Sequence, residues 1–310
     1  MKLFAPKYYK DFVCIADRCR HSCCIGWEID VDTLTAKKYE SMKAPYADEI
    51  RRSIDPFPVP HFILASNERC PHLNASGLCN IILNLGEDCL CDICREHPRF
   101  YNDSSLGKEV GLGMVCEEAC RIILTSDSYT DIIEIGEMEC DAENTELDTV
   151  RLREHIYNIL SDKALPYPEK LDRIYEDFGV SPSILDDSQW QSLLASLEYL
   201  DVSHRELFLS YSSEPSTPKS YEKVLERALA YFVFRHCTEA YDENDYRTSL
   251  GMCLFFERLL ASVLKSEHAK NENDCFAFAQ AISEELEYSE DNTDAIRSEF
   301  MFGLNSGEKL

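Results

Sequence analysis

The sequence has no apolar run long enough to cross a bilayer; its longest, such as Ala228–Phe234, stop far short of one. The opening stretch, Met1-Lys2-Leu3-Phe4-Ala5-Pro6-Lys7, contains no apolar segment of signal-peptide length. These two absences predict a cytoplasmic protein with no membrane partner. Positive charge is also scarce. The formal net charge is −26, and phosphate binding needs a basic surface, so nucleic acid is excluded as an expected partner. The phosphate-cradling Walker loop, the glycine-rich dinucleotide fingerprint, a His-Glu-x-x-His zinc site and a Gly-x-Ser-x-Gly elbow are all missing. No internal repeat or low-complexity linker is visible.

Cysteine, by contrast, is abundant. There are fifteen, an odd number that forbids complete internal disulfide pairing. A chain of 310 residues with 45% apolar content can bury a large core and does not depend on cysteine staples. In a reducing compartment such thiols stay reduced or bind metal. Twelve of the fifteen fall within residues 1–140. That density divides the chain into a cysteine-rich region, 1–140, and a remainder, 141–310. The first holds 15 basic and 23 acidic residues, the second 16 and 34. The acidic excess is either a solvated surface or a face that steers a lysine-bearing substrate.

The expected fold is mainly α: a cysteine-rich, largely irregular N-terminal region that binds a cluster, followed by an α-helical domain. Residues 1–32 read as irregular or weakly extended. Asp32 is placed to cap a helix over 33–43, ended by Ala44-Pro45. Residues 55–60, Asp-Pro-Phe-Pro-Val-Pro, read as extended chain. A short strand is expected over 61–65, a turn over 74–77, a short helix over 80–85 stopped by Gly86, a strand over 109–114 and a helix over 116–126. A domain boundary is expected within the acidic stretch 127–147. Beyond it, helices are predicted over 147–161, 168–178, 183–200, 219–241, 245–267, 273–288 and 292–301, punctuated by prolines. The stripes Tyr221, Leu225, Ala228, Leu229, Phe232, Val233 and Met252, Phe255, Phe256, Leu259, Val263 each have the spacing of a helix packed on one side.

Three explanations fit the dense thiols: a disulfide framework, a zinc site or an iron–sulfur cluster. The core run is Cys14-x4-Cys19-x3-Cys23-Cys24-x-Gly26-Trp27. Zinc normally uses paired Cys-x2-Cys knuckles, and only Cys91-x2-Cys94 has that spacing. The looser spread elsewhere favours iron–sulfur, whose ligand spacings vary more. Adjacent Cys23 and Cys24 cannot easily face one metal together, so one serves a second centre or packs. Cys237, Cys253 and Cys275, isolated among helical apolar positions, read as buried core thiols, as does Cys140. Arg95, His97 and Arg99 lie beside Cys94, where they either hold a carboxylate, donate to cluster sulfurs, or form surface salt bridges. Trp27 is either a core aromatic or a pocket wall. Arg99 and Trp27 are carried forward as candidate cofactor contacts.

The run Pro6-x-Tyr8-x3-Phe12-x-Cys14-x4-Cys19-x3-Cys23-Cys24-x-Gly26-Trp27 resembles the opening of the flagellin lysine N-methylase family, related to small cysteine-cluster proteins that chelate zinc or iron. The likeness continues through Cys70-Pro71-x-Leu73, Gly77-Leu78-Cys79-x-Ile81, Leu85-Gly86-Glu87, Cys94-x3-Pro98-Arg99 and Gly113-x2-Cys116-x2-Ala119-x-Arg121. It covers roughly residues 6–125. The resemblance implies methyl transfer from S-adenosylmethionine to lysine ε-amines of flagellin, with an iron–sulfur cluster, taken as 4Fe-4S, on the enzyme. Carried across by position, it implies Cys14, Cys19, Cys23, Cys24, Cys70, Cys79, Cys94 and Cys116 as metal ligands. Cys89, Cys91 and Cys120 stand outside the matched set. No Cys-x3-Cys-x2-Cys run is present, so a radical mechanism does not follow from spacing. No catalytic base is identified. The competing expectation is a non-enzymatic metal- or cluster-binding protein that senses redox state and docks partners through its helical half.

Overall fold

The computed structural model describes residues 1–138, 147–180, 184–214, 219–267 and 269–305. The chain begins with strand β1, Lys2–Pro6. Helices α1, Thr33–Ser41, and α2, Ala47–Arg52, follow, then the two-residue strands β2, Ile54–Asp55, and β3, His61–Phe62. Next come α3, Asn80–Leu85, and α4, Asp92–Glu96. Strands β4, Arg99–Ser104, and β5, Gly107–Leu112, precede α5, Glu117–Thr125, and strand β6, Ile132–Glu137. The rest is helical: α6 Thr149–Ser161, α7 Tyr167–Phe178, α8 Asp187–Ser196, α9 Val202–Phe208, α10 Glu222–His236, α11 Glu243–Ser266, α12 Glu272–Ile282 and α13 Glu290–Asn305. A single π-helical turn, Ser283–Glu287, links α12 to the last helix. The fold is mainly α, as expected. Among the described residues, no helix is long and apolar enough to cross a membrane.

Contacts divide the chain into two compact units. One is Val13–Arg99; the other joins Met1–Phe12 to Phe100–Leu310. The division by cysteine density lies at residue 140, whereas these units change over at Phe12 and Arg99.

The larger, helical unit carries a four-stranded sheet in the order β4-β5-β1-β6. β1 runs parallel to β5, with Leu3 opposite Lys108, and antiparallel to β6, with Ala5 opposite Ile133. Lys2–Pro6 thus takes the extended alternative for this stretch, as a strand of the sheet. Its partners lie over a hundred residues away, and such pairing leaves no local periodicity to read. Glu109 of β5 is fully buried and takes two hydrogen bonds, 2.6 and 2.7 Å, from the Arg153 guanidinium of α6. Arg153 also lies 5.1 Å from the centre of the Phe234 ring of α10. A buried pair with this bidentate geometry satisfies both charges, and loss of either partner would strand the other.

The helical core is rich in aromatics. Trp190 of α8 packs 4.3 Å from the Phe255 ring, and Phe232 lies 5.3 Å from Phe256. All four are completely buried. Each helical prediction after residue 147 has a counterpart here. In α8 a capping box links Asp186 and Gln189 reciprocally, which accounts for the sharp start of the helix. Cys237, Cys253 and Cys275 are buried core thiols; Cys140 lies outside the described residues.

The cysteine unit, Val13–Arg99, has only short elements and a small core. That core comprises Ile29, Val31, Tyr39, Ile50, Phe62, Cys70, Leu73, Ile81, Cys89 and Cys91, with Cys24, Cys79 and Cys94 packed against it. Asp32 caps α1 by accepting from the Thr35 N–H, as its position predicts, and its second oxygen accepts from the Asp92 N–H. One aspartate thereby fixes the starts of α1 and α4 together. Arg51 of α2 closes the other end of α1, donating to the carbonyls of Tyr39 and Met42.

Candidate metal centre

Backbone pairing in the cysteine unit gathers thiols from distant stretches. The Cys70 N–H donates to the Cys24 carbonyl at 2.8 Å, and the Gly26 N–H donates to the Glu68 carbonyl at 3.0 Å. Gly26 has a φ of +85°, a conformation glycine adopts without steric cost. Cys24 is thereby laid beside Cys70. A second pairing, Leu73 with Cys79, folds Cys79 back toward Cys70. Its turn is held by the Asn74 side chain, which accepts from the N–H groups of Ser76 and Leu78. Gly77 occupies the left-handed position, φ +76°, that this turn requires. Cys91 caps α4, and its carbonyl accepts from the N–H groups of Cys94 and Arg95.

The thiols respond to one another. Cys24 is lowered to about 7, first by its hydrogen bond with Cys23, then by Ser22 and the Arg69 guanidinium, against the effect of burial. Cys70 is pushed up to about 12 by burial, with Cys24 and Cys79 adding to the rise. Burial also raises Cys79, which feels Cys24 and Cys91. Cys91 is lowered, chiefly through Cys94, while Cys94 is raised, chiefly through Cys91 and burial, and also feels Cys24 and Cys70. Crowded thiols in a partly dry pocket resist ionising together. A cation at their centre would reverse that, because metal binding displaces thiol protons.

Six thiols lie in or against the small core of this unit: Cys70, Cys89 and Cys91 within it, and Cys24, Cys79 and Cys94 against it. Four belong to the set implied by the resemblance. Cys89 and Cys91 do not, although the Cys-x2-Cys spacing of Cys91 to Cys94 was a visible signal. Cys14 and Cys23 are exposed and Cys19 half-buried, its thiol donating to the His21 carbonyl at 3.0 Å. Cys116 belongs to the helical unit, at the N-cap of α5. There it lies near Cys120 and the Tyr288 hydroxyl. Gly113 of the same motif faces Tyr288 so closely that a Cβ would fall 2.1 Å from its hydroxyl oxygen. Trp27 is half-buried, and Arg99 donates to the Arg95 carbonyl at 3.3 Å.

The donor set suits a soft metal, since thiolates select zinc, copper(I) and iron–sulfur clusters. Zinc–sulfur bonds of about 2.3 Å place tetrahedral sulfurs about 3.8 Å apart. Among the described residues, three or more ligand atoms lie mutually within 4.8 Å at His204, Glu284 and Glu285, and not among the thiols of the cysteine unit. In the His204 group, Glu285 already accepts from the N–H groups of Leu200 and Asp201 and bonds His204 at 2.8 Å, so its carboxylate serves the start of α9.

Two histidines of the cysteine unit, His72 and His97, are held neutral. His72 is held between Tyr46 and Ser53, both at 2.9 Å, and burial lowers it to about 4. His97 is also lowered to about 4, by burial and then by Arg99.

Two curated lysine-N-methylases match part of the chain, from Salmonella choleraesuis (strain SC-B67) and Salmonella typhimurium (strain LT2). Each is 29% identical over 133 residues, 38% of this chain and 31% of its own length. The flagellar biosynthetic protein FliU of Salmonella muenchen is 26% identical over 167 residues, 50% of this chain and 94% of its own length. No family profile matches, and no solved structure matches. The match spans about a third of the length of the two lysine-N-methylases. The chain is similar to lysine-N-methylases, distantly and over part of its length.

Proposed function

We propose that this protein is an S-adenosylmethionine-dependent protein-lysine N-methyltransferase that acts on flagellin in the cytoplasm and carries an iron–sulfur cluster. What supports this reading is the thiol-rich core of the cysteine unit, together with the similarity to lysine-N-methylases. Cys24, Cys70, Cys79 and Cys94 are the ligands common to these core thiols and the family pattern. When bound, a cluster there supplies a soft, electron-rich centre able to anchor or polarise the methyl donor. In the transfer itself the lysine nitrogen forms a bond to the methyl carbon as that carbon's bond to sulfur breaks, leaving a neutral thioether. The amine must be neutral to attack. With an ordinary lysine pKa near 10.4, its proton must first pass to a carboxylate, a tyrosine or water. The net charge of −26 would favour approach of a lysine-bearing segment.

The test is methyl labelling of purified flagellin by the anaerobically prepared full chain, with lysine methylation read by mass spectrometry. Labelled lysine supports the reading, and no transfer to any lysine-bearing protein overturns it. One feature favours a second reading, a redox sensor: the Cys-x2-Cys spacing of Cys91 and Cys94. Reversible oxidation of that pair in a chain that transfers no methyl group would select it.

A further inference from the structure

We propose that Cys237 and Cys253 form a reversible redox site in the core of the helical unit, where a diffusible peroxide joins them as a disulfide between α10 and α11. The proposal is independent of methyl transfer and of the metal centre, and this pair is distinct from Cys91 and Cys94. In sequence the two are isolated thiols among apolar positions; folding brings them together.

Cys237 is the C-cap of α10, and Cys253 lies well inside α11. Their sulfurs are 3.7 Å apart, and the residues are 1% and 0% exposed. Bonded sulfurs sit about 2.05 Å apart, so closure needs an approach of less than about 2 Å. Aromatic packing holds the seam beside the pair. The rings of His236 and Phe232 lie 5.8 and 5.3 Å from the ring of Phe256, which follows Cys253 on α11. The Cys237 N–H donates to the Val233 carbonyl at 3.1 Å, fixing that thiol at the helix end. Packing alone does not require sulfur to meet sulfur. Cys120 and Cys275, also buried in this unit, donate instead to the carbonyls of Phe276 and Asn271. Burial, and then Cys237, push Cys253 up, so it keeps its proton. The Tyr246 hydroxyl, buried and with no hydrogen-bond partner among the described residues, feels both thiols and is available to donate to a thiolate formed there.

The chemistry runs in two steps. The Cys237 sulfur, as thiolate, attacks a peroxide oxygen. The S–O bond forms as the O–O bond breaks, and the released hydroxide takes up the proton the thiol gave, leaving as water. The Cys253 sulfur then attacks the sulfenic sulfur; the S–S bond forms, the S–O bond breaks, and the hydroxyl leaves with the Cys253 proton as a second water. Two thiols are oxidised and one hydrogen peroxide is reduced. A thiol reductant reverses the bond by exchange. Cys237 ends α10 beside the link to α11, where Tyr241 is exposed. A molecule little larger than water needs only a local opening there.

The test treats the full chain with hydrogen peroxide, quenches it with N-ethylmaleimide in denaturant, digests it without reduction and maps the peptides by mass spectrometry. The expected product joins the Cys237 peptide to the Cys253 peptide, with the loss of two hydrogens, and disappears on treatment with dithiothreitol. Cys253→Ser should abolish the link and leave Cys237 as a sulfenic acid that dimedone traps. Cys275→Ser should leave the link unchanged. If Cys237 and Cys253 are both still alkylated at a dose that oxidises the exposed Cys14 and Cys23, the proposal fails. Linkage of either one to another cysteine, or a link that forms only in urea, overturns it too. Should Cys253→Ser misfold, the unaltered chain decides: alkylation must be lost at both positions in equal measure, and loss at one alone refutes the pairing.

Discussion

The two units hold themselves together by different means. The helical unit buries whole aromatic side chains, among them Trp190, Phe232, Phe255 and Phe256, and closes its sheet onto α6 with the Glu109–Arg153 pair. The cysteine unit has no helix longer than the nine residues of α1, and three of the ten residues in its core are cysteines. Small domains bury a modest fraction of their surface and commonly lean on metals or disulfides. Core aromatics specify structure by shape, whereas the core of the cysteine unit is small and rich in thiols, the side chains the proposed metal centre would use. The cysteine unit should therefore owe its stability to metal in a way the helical unit does not.

The largest expected difference follows from stripping the metal. Structural metal ions contribute on the order of 10 kcal/mol to the folding of small domains. Chelation should abolish hydrogen-exchange protection across α1–α4 and leave α10 and α11 protected. Uniform loss across both units would erase the contrast.

Next is the buried pair of the helical unit. Arg153→Met leaves the Glu109 carboxylate buried and alone, which should cost about 3–5 kcal/mol in urea unfolding. Arg153→Met combined with Glu109→Leu should recover most of it. Metal content should not change in either variant.

The third separates the units by pH. The ring of His72 is held neutral, lowered to about 4 from an ordinary 6.5. Above pH 6.5 both folded and unfolded chains leave it unprotonated, and its contribution is fully present. As pH falls from 6.5 toward 4, the unfolded chain binds a proton that the folded unit refuses, and stability declines by up to about 3 kcal/mol. His72→Asn should flatten that slope in pH-dependent unfolding of the cysteine unit. The smallest effect belongs to a cap: Asp186→Ala removes the capping box of α8 and should cost about 1 kcal/mol, seen as a lower melting temperature of the helical unit alone.

The same contrast explains what could be read from sequence. Helices α6, α7, α10, α11 and α12 carry apolar stripes and recognisable stops, so their positions were legible. The cap at Asp32 and the Gly86 stop were legible for the same local reason. Strands β1 and β6 were not. Lys2–Pro6 is too short to show alternation, and its partners enter only when the chain folds back. The short helix α9 lacks a stripe of its own and begins where Glu285, some eighty residues on, receives its first N–H groups. At the thiol site, abundance was visible but membership was not. The pairing of Cys24 with Cys70 is a long-range contact that no spacing rule contains, whereas the turn that pairs Leu73 with Cys79 was legible in residues 74–77.

The strand that begins the chain has a practical consequence. Because Met1–Phe12 and Phe100 onward build one unit, the thiol-bearing stretch is an insert rather than a prefix. Trimming it from the amino end would also unzip the sheet between β5 and β6. A deletion that rejoins Phe12 to Phe100 through a short spacer keeps that seam, and is the cut by which the helical unit can be studied without the thiols of Val13–Arg99.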